Sequence, residues 1–356
     1  MWYTMQRCAL FKNKNSEAFR KLKKGIISIA LATFFFSTME IALKISAGNF
    51  NPIQLTFLRF LIGGIVLLPL AIREIKLKKI TLKINDVMFF VLTGFICVIV
   101  SMIMFQLGVL YCPASVVAVL FSCNSVFVVL FAYIMLAEKI YKHTIISIIV
   151  SALGMIAIIN PLHMTASIAG IIFSLVAAVT FALYNVIGRT RSDRYGGITL
   201  TCFSFLFGCA ELAVLISLTY IPAAARMFNA AGLSMFAGIP LFTGIKLSSL
   251  PGLLYVGIFV TGLGYTFYFI AMEETSAATA SLVFYLKPVI APIFALAVLG
   301  EAITANMIVG IILIIIGSFI SFVPGIKLSK DKKLNEDIKE IESEFEAETD
   351  ETAIKP

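Results

Sequence analysis

Apolar runs of about twenty residues recur along this chain, and short polar segments separate one run from the next. A helix needs roughly 20 consecutive apolar residues to cross the hydrocarbon core of a bilayer. Prolines at the ends of several runs support the boundaries between helices. The pattern therefore predicts an all-α integral membrane protein with ten transmembrane helices. The predicted spans lie at about residues 25–47, 52–72, 87–109, 114–136, 143–161, 168–188, 197–220, 250–272, 277–299 and 303–323.

Two of these runs resemble each other. Residues 114–140 align with residues 277–303 at one offset of 163 residues, so that matching side chains fall at Ala114 and Ala277, Phe121 and Phe284, Phe131 and Phe294, and Glu138 and Glu301. Each copy holds five spans, an odd number, so the second copy is upside down relative to the first. We expect two inverted five-helix repeats, at residues 26–160 and 168–323. Such repeats are typical of transporters whose site lies where the copies meet.

Basic residues alternate between the connections of the spans. Seventeen Lys and Arg residues lie in the leader (1–24) and in the second, fourth and sixth connections, whereas the odd-numbered connections hold only Arg226 and Lys246. Because basic loops stay on the cytoplasmic side, both termini are predicted to be cytoplasmic in a multi-pass cell-membrane protein. The segment 327–356 holds six Lys and ten acidic residues and is interpreted as a solvated cytoplasmic tail.

Composition excludes several functions. The chain is 60% hydrophobic and only 13% charged, about half the charged fraction of a soluble protein. The net charge of +8 comes from residues beside the spans, so nucleic-acid binding is not expected. No CxxC pair and only two histidines occur, so neither a metal nor a cofactor is expected, and no nucleophile–base set indicates an enzyme. No phosphate-binding loop is present, so energy must come from a gradient or from exchange.

Three sequence features resemble a known family. They are Asn51-Pro52 followed by Leu58-Arg59-Phe60, the paired run endings Leu136-Ala137-Glu138 and Leu299-Gly300-Glu301, and a glycine in the span after each glutamate, Gly154 and Gly310. Together they resemble the EamA-type transporters of the drug/metabolite transporter superfamily. The resemblance covers about residues 26–323 and implies ten helices, two EamA domains and transport of small metabolites.

Charged residues inside the predicted spans are the first candidates for function, because a charge in the bilayer costs free energy unless it is paired or faces water. Glu40 and Lys44 are spaced i,i+4, and Glu40 and Arg59 each lie about 10 Å below the outer surface at 1.5 Å per residue. A Glu40–Arg59 or Glu40–Lys44 pair that only fixes packing is one interpretation. The other is an outer ion-pair gate of all three residues, with Glu40 as the group for proton coupling.

Lys287 lies at the predicted midplane of the ninth span, and its repeat counterpart is Asn124. A Lys and an Asn near a pseudo-two-fold axis would suit a carboxylate, a phosphate or another polar solute. Pro288 frees a backbone carbonyl beside them, while Tyr184 and Asn185 would add hydrogen bonds or merely join helices. Alternatively, Lys287 is satisfied by carbonyls or by a glutamate and binds no ligand. Two interpretations of Glu211 in the seventh span stay open: a pair with Lys287 across the bundle, and a position that faces water near the outer end.

These observations favour a secondary transporter, an exporter of a small polar or amphipathic metabolite that works by alternating access. Its expected partners are the solute, the bilayer and a coupling proton, and its oligomeric state is open. One alternative is a flippase for a lipid-linked headgroup, which needs a lateral opening between helices. Another is a non-transporting sensor whose acidic tail is the output arm. An intramembrane enzyme is the least supported alternative.

Overall fold

The computed structural model describes residues 2–137, 141–159, 167–230, 232–275, 277–280 and 282–320, and within these ranges the chain is helical and contains no strand. Two π-helical segments interrupt the α-helices. In chain order the elements are α1 (Trp2–Ser37), α2 (Met39–Ser46), α3 (Pro52–Leu77), α4 (Ile84–Gly94), π1 (Phe95–Ser101), α5 (Met102–Tyr111), α6 (Ala114–Ser122), α7 (Asn124–Leu136), α8 (Lys142–Ile159), α9 (Ile168–Arg189), α10 (Ser192–Tyr195), α11 (Gly197–Leu218), α12 (Pro222–Ala230), α13 (Leu250–Leu254), π2 (Tyr255–Leu263), α14 (Gly264–Glu274), α15 (Ala277–Ala280), α16 (Leu282–Leu299) and α17 (Ala305–Ile320).

Eight helical stretches in the described chain are long and apolar enough to cross a membrane. They correspond to the first to fourth and the sixth to ninth predicted spans. The fifth and tenth correspond to shorter apolar helices, Ile145–Ile159 and Ala305–Ile320, each of which ends beside residues outside the described ranges. The all-α fold with candidate membrane spans is therefore confirmed, while the count of ten spans and the inverted orientation of the two repeats stay predictions. The eight are Arg20–Ser46, Pro52–Leu77, Ile84–Tyr111, Ala114–Leu136, Ile168–Arg189, Gly197–Leu218, Leu247–Glu274 and Leu282–Leu299.

Four of the spans are not uniform helices. The first breaks at Thr38, whose hydroxyl donates to the Phe35 carbonyl at 3.0 Å and lies 2.7 Å from the Tyr255 hydroxyl. The fourth breaks at Cys123, between α6 and α7. The third and eighth each contain a π-helical segment, π1 and π2, at matching places in the two halves. π-Helical turns occur often at functional sites, so the residues around these segments are candidates for the functional site.

The two halves of the chain interlock. Helix α11 packs against α3, α5 against α9, α14 against α1, and α16 against α6. If each helix is replaced by its counterpart in the other half, α5 and α9 become α14 and α1, which also pack together. The pairs α3·α11 and α6·α16 each consist of two counterparts, so the replacement leaves them unchanged. This agreement of contacts is what two copies of one unit would give.

The fifth and tenth predicted spans also contact each other across the halves. A Cβ atom added to Gly310 would lie 2.6 Å from the Gly154 carbonyl oxygen, and one added to Gly154 would lie 2.8 Å from the Gly310 oxygen. Two helix backbones approach this closely only where both lack side chains. The glycines that carried the family resemblance thus form the contact between α8 and α17.

Candidate functional site

An ion pair joins the two halves in the interior of the bundle. The ammonium group of Lys287 on α16 lies 2.6 Å from the Glu40 carboxylate on α2. Both residues are buried, with 2% and 0% of their surface exposed. From the sequence we expected Glu40 to pair with Arg59 or Lys44. The structure differs because α16 packs directly against α1 and α2, and this packing places the Lys287 side chain next to Glu40. Of the partners considered for Lys287, the structure shows the glutamate.

Arg59 is a second buried cation near this pair, and it has only weak partners. Its guanidinium lies 3.8 Å from the sulfur of Met39 and 3.5 Å from that of Met102, and thioether sulfur is a poor acceptor. It also stacks over the rings of Phe60 and Phe105. Among the described residues, the Nε atom of Arg59 has no hydrogen-bond partner and no carboxylate lies within ion-pair distance. A buried guanidinium of this kind is suited to receive an anion.

Phe105 lies beside both cations. Its ring centroid is 5.9 Å from the Arg59 guanidinium carbon and 5.9 Å from the Lys287 ammonium nitrogen, and the Phe121 ring is 5.3 Å from that same nitrogen. The Phe105 ring is therefore close to both cations, one of which, Lys287, also contacts Glu40 directly. With all three groups ionised, the cluster of Glu40, Arg59 and Lys287 carries a net charge of +1. We call this set the central charge cluster.

Two neutral polar side chains near the central charge cluster lack partners in the described chain. Both amide atoms of Gln106 and the hydroxyl of Ser37 are buried without a hydrogen bond. Gln106 is one helical turn after Met102, and Ser37 is three residues before Glu40. Most buried polar groups in proteins are hydrogen-bonded, so such exceptions mark places where a ligand can be accepted. Gln106 was not among the residues predicted from the sequence, although an amide within the apolar run of α5 is a visible signal.

Lys44 does not belong to the central charge cluster. Its ammonium donates to the carbonyl oxygens of Val109 and Cys112, each at 2.7 Å, at the C-terminal end of α5. Free carbonyls at a helix end attract cations, and this attraction holds Lys44 away from Glu40. The predicted three-residue gate of Glu40, Lys44 and Arg59 is therefore not assembled as ion pairs.

Glu301 caps the N-terminal end of α6, the helix that follows the Cys112–Pro113 corner. Its carboxylate accepts hydrogen bonds from the backbone N–H groups of Ala114 at 2.7 Å and Ser115 at 2.9 Å, and from the Ser115 hydroxyl at 2.7 Å. A carboxylate at a helix N-terminus satisfies unpaired N–H groups and the helix dipole. Glu301 and Lys44 thus clamp the Cys112–Pro113 corner from two sides. Glu138, the repeat counterpart of Glu301, lies outside the described residues.

Two of the remaining predicted site residues, Asn124 and Tyr184, are linked by contacts to Phe121, whose ring lies beside Lys287. Asn124 is buried at the break of the fourth span, where its amide donates to the Phe121 carbonyl at 2.8 Å. Tyr184 is buried, donates to the Thr201 hydroxyl at 3.4 Å, and packs on Phe181. Phe181 in turn contacts Phe121, so an aromatic path leads from Tyr184 to Lys287.

Pro288 and Asn185 complete the predicted set. Pro288 is buried directly after Lys287 inside α16, which continues through it, and Asn185 is half-buried on α9. The Lys287 ion pair is made to Glu40, and Asn124 uses its amide within its own helix break. Glu211 on α11 keeps both carboxylate oxygens without a partner among the described residues, so it is not the partner of Lys287. In the same ranges no three metal-ligating side chains come together.

A second set of contacts joins the halves at the opposite end of the bundle. Asp86 accepts hydrogen bonds from the Tyr195 hydroxyl at 2.6 Å and the Arg194 guanidinium at 2.8 Å, and it caps its own helix through the Lys83 N–H. Burial first, and then the bond to Asp86, raise the pKa of the Tyr195 hydroxyl above its usual value. The start of α4 is thereby tied to α10.

Glu74 strengthens this second set. Its carboxylate accepts from the Thr199 N–H at 3.0 Å and from the Thr199 hydroxyl at 2.7 Å. Gly196, at φ +81°, lies so close that any Cβ atom there would collide with Glu74. We call the contacts of Asp86 and Glu74 the terminal latch. Both ends of the bundle are therefore held by contacts between the two halves.

A bundle of apolar spans with paired charges inside it and contacts between the halves at both ends is the arrangement expected of a membrane transporter. A model of the EamA-like transporter family matches residues 23–160 and again residues 168–323. The chain belongs to this family.

Individual comparisons agree with the family. A protein of Clostridium kluyveri named "Uncharacterized transporter" is 43% identical over 336 residues, which cover 92% of this chain and all of that protein. A protein of Streptantibioticus cattleyicolor named "Probable terminal-alkyne amino-acid exporter" is 22% identical, over 79% of this chain and 87% of its own length. A crystal structure with a TM-score of 0.57 and 16% identity covers 86% of this chain and 99% of its own, which shows a shared fold.

Proposed function

We propose that this protein is a secondary transporter that exports a small solute bearing an anionic group, and that the solute binds at the central charge cluster. The observation that carries the proposal is the buried Glu40–Lys287 pair with Arg59 beside it, two cations for one carboxylate. Charges inside a membrane bundle are retained where they serve a solute or ion path. The solute's anionic group would bind Arg59 and compete with Glu40 for Lys287.

Glu40 is the proposed coupling residue. A proton on its carboxylate would remove the charge that holds Lys287 and would leave the cation open to the solute. A zwitterionic amino acid fits the same site, with its carboxylate on the two cations and its ammonium on Glu40, and the name of the Streptantibioticus relative is compatible with that class. Asn124, Pro288, Tyr184 and Asn185 are proposed to line the solute path around Lys287.

Alternating access is proposed to work through the two ends of the bundle. Lys44 and Glu301 hold the end that the charge pattern assigns to the outside, and the terminal latch holds the end assigned to the cytoplasm. Each set would open in turn while the other stays closed. This scheme uses two inverted repeats, ten spans and cytoplasmic termini, as expected from the odd number of spans per copy and from the basic connections.

Transport is tested by counterflow in proteoliposomes with a mixed panel of amino acids, organic acids, amines and nucleosides, read by mass spectrometry with and without a pH gradient. We expect one anionic or zwitterionic class to move. Lys287→Ala should abolish this flux, and Glu40→Gln should remove its dependence on the pH gradient. Glu211→Gln is the matched control, because it makes the same chemical change at a carboxylate of another span that has no hydrogen-bond partner among the described residues. Selective movement of cations alone would contradict the proposal.

A flippase for a lipid-linked headgroup is the second candidate, because a lateral groove of about 230 Å³ opens between α2 and the start of the eighth span. Ile41 and Ile45 form one wall, Gly252 and Tyr255 the other. If the soluble panel stays immobile in well-folded protein, a fluorescent lipid with an anionic headgroup is the next substrate. Its movement across the bilayer, lost in Lys287→Ala, would support this candidate.

A further inference from the structure

A second groove lies where the first span begins, far from the central charge cluster. It has a volume of about 410 Å³ and separates the start of the first span from α14. Its lining consists of basic residues at one end and mainly apolar residues at the other. The basic residues are Arg20, Lys23 and Lys24, and the others are Ile27, Ser28, Phe267 and Ile270.

The basic residues lie on one face of α1. Positions 20, 23, 24 and 27 are spaced three and four apart, so their side chains follow one another along the helix. Lys24 is partly neutralised by Glu274 at the end of α14, at 2.6 Å. Arg20 and Lys23 are exposed and contribute two further positive charges to the groove. The basic end of the groove therefore carries an excess of positive charge where the helix enters the membrane.

The other end of the groove is apolar. Ile27 is 50% exposed, one turn deeper into the span than Lys23, and faces Phe267 and Ile270 of α14. The walls are held together at this level because a Cβ atom on Gly25 would collide with the Thr275 side chain, so α1 and α14 are in contact. The groove is thus fixed by helix packing, with cations at the membrane interface and hydrocarbon below them.

We propose that this groove binds one anionic phospholipid, with its phosphate on Arg20 and Lys23 and an acyl chain along Ile27 and Phe267. Basic pockets between transmembrane helices at the interface recognise anionic headgroups, and each basic residue contributes about 1 kcal/mol, roughly a fivefold change in binding. The apolar half of the groove matches an acyl chain. A soluble anion has no apolar part and would leave this half of the groove uncovered. The site does not depend on the proposed solute or on its coupling.

The test is lipid binding to the purified full-length protein, measured by native mass spectrometry with phosphatidylglycerol and phosphatidylcholine of identical acyl chains. We expect the anionic lipid to bind at least about fivefold more tightly. The variant Arg20→Gln/Lys23→Gln should lose this preference. The control Arg73→Gln/Lys76→Gln removes the same residue types from exposed positions at the end of α3, on the same side of the bundle, and should keep it.

A second variant separates a lipid from a soluble anion. Ile27→Trp fills the apolar half and leaves every charge in place, so it should weaken phosphatidylglycerol binding severalfold. Glycerophosphoglycerol, the headgroup without acyl chains, should fail to displace the bound lipid at equal concentration. Equal binding of the two lipids, an equal loss in the control variant, or displacement by the free headgroup would each overturn the proposal.

Discussion

The Glu40 carboxylate and the Lys287 ammonium lie 2.6 Å apart in a position from which solvent is excluded. Removing one partner leaves an uncompensated buried charge, which costs about 3–5 kcal/mol, whereas removing both is often neutral. We therefore expect Lys287→Met and Glu40→Gln to lower the melting temperature, and the double variant to recover it. Thermal unfolding followed by far-UV circular dichroism in detergent measures this.

Transport by the same variants distinguishes a structural pair from a functional one. If the pair serves the solute, the double variant should regain stability but remain without counterflow. Recovery of both stability and flux in the double variant would mean that the pair only fixes the packing of α2 against α16. The charge-preserving variant Lys287→Arg should retain part of the flux, since a cation still faces Glu40.

Glu301 stabilises a helix that belongs to the other half of the chain. Its carboxylate accepts three hydrogen bonds at the start of α6, and loss of a helix cap costs about 1–2 kcal/mol. We expect Glu301→Ala to lower the melting temperature clearly and Glu301→Gln, which keeps one acceptor oxygen, to lower it less. The comparison is made in the same detergent. Equal melting of the two variants and the wild type would show that the cap contributes nothing.

The terminal latch predicts that the stability of the folded protein falls as the pH rises in the alkaline range. The pKa of Tyr195 is raised in the folded protein, so the folded state holds its proton while the unfolded tyrosine releases one near pH 10. The stabilisation is complete below that pH and is lost as the pH rises through the folded pKa. Tyr195→Phe should therefore lose less stability between pH 9 and pH 11 than the wild type, measured by thermal unfolding. A parallel fall in both proteins would remove Tyr195 from this role.

The close contact of α8 and α17 leaves no space for a side chain. Gly310→Ala should push the helices apart and destabilise the protein by about 1–3 kcal/mol, as overpacking of a close contact does. Gly48→Ala is the matched control, because nothing lies within 4 Å of a Cβ atom there. Thermal unfolding of the two variants checks the prediction, and equal melting temperatures would contradict it.

The spans were readable from the sequence because apolar length alone identifies a membrane helix. The breaks at Thr38 and Cys123 and the two π segments were not, since they depend on side-chain hydrogen bonds and packing that leave the apolar pattern unchanged. The match at an offset of 163 residues indicated the two repeats that the family comparison also finds.

The site was readable only as a set of charges. The spacing of Glu40 and Lys44 favoured a pair along one helix, but the carbonyls at the end of α5 bind Lys44 instead. The partner of Glu40 came from α16, and no local spacing can show which distant helix packs against α2. Phe105 gave no signal because phenylalanine is common in this chain, with 31 copies.

The ion pair also constrains the order of events during synthesis. Glu40 emerges from the ribosome 247 residues ahead of Lys287, counting from 40 to 287. A lone ionised carboxylate is costly in a bilayer, so Glu40 enters the membrane either protonated or near water until α16 arrives. The N-terminal half is in the same way inserted with α6 uncapped, because Glu301 is made later. The first half therefore reaches its final packing only after nearly the whole bundle has been translated.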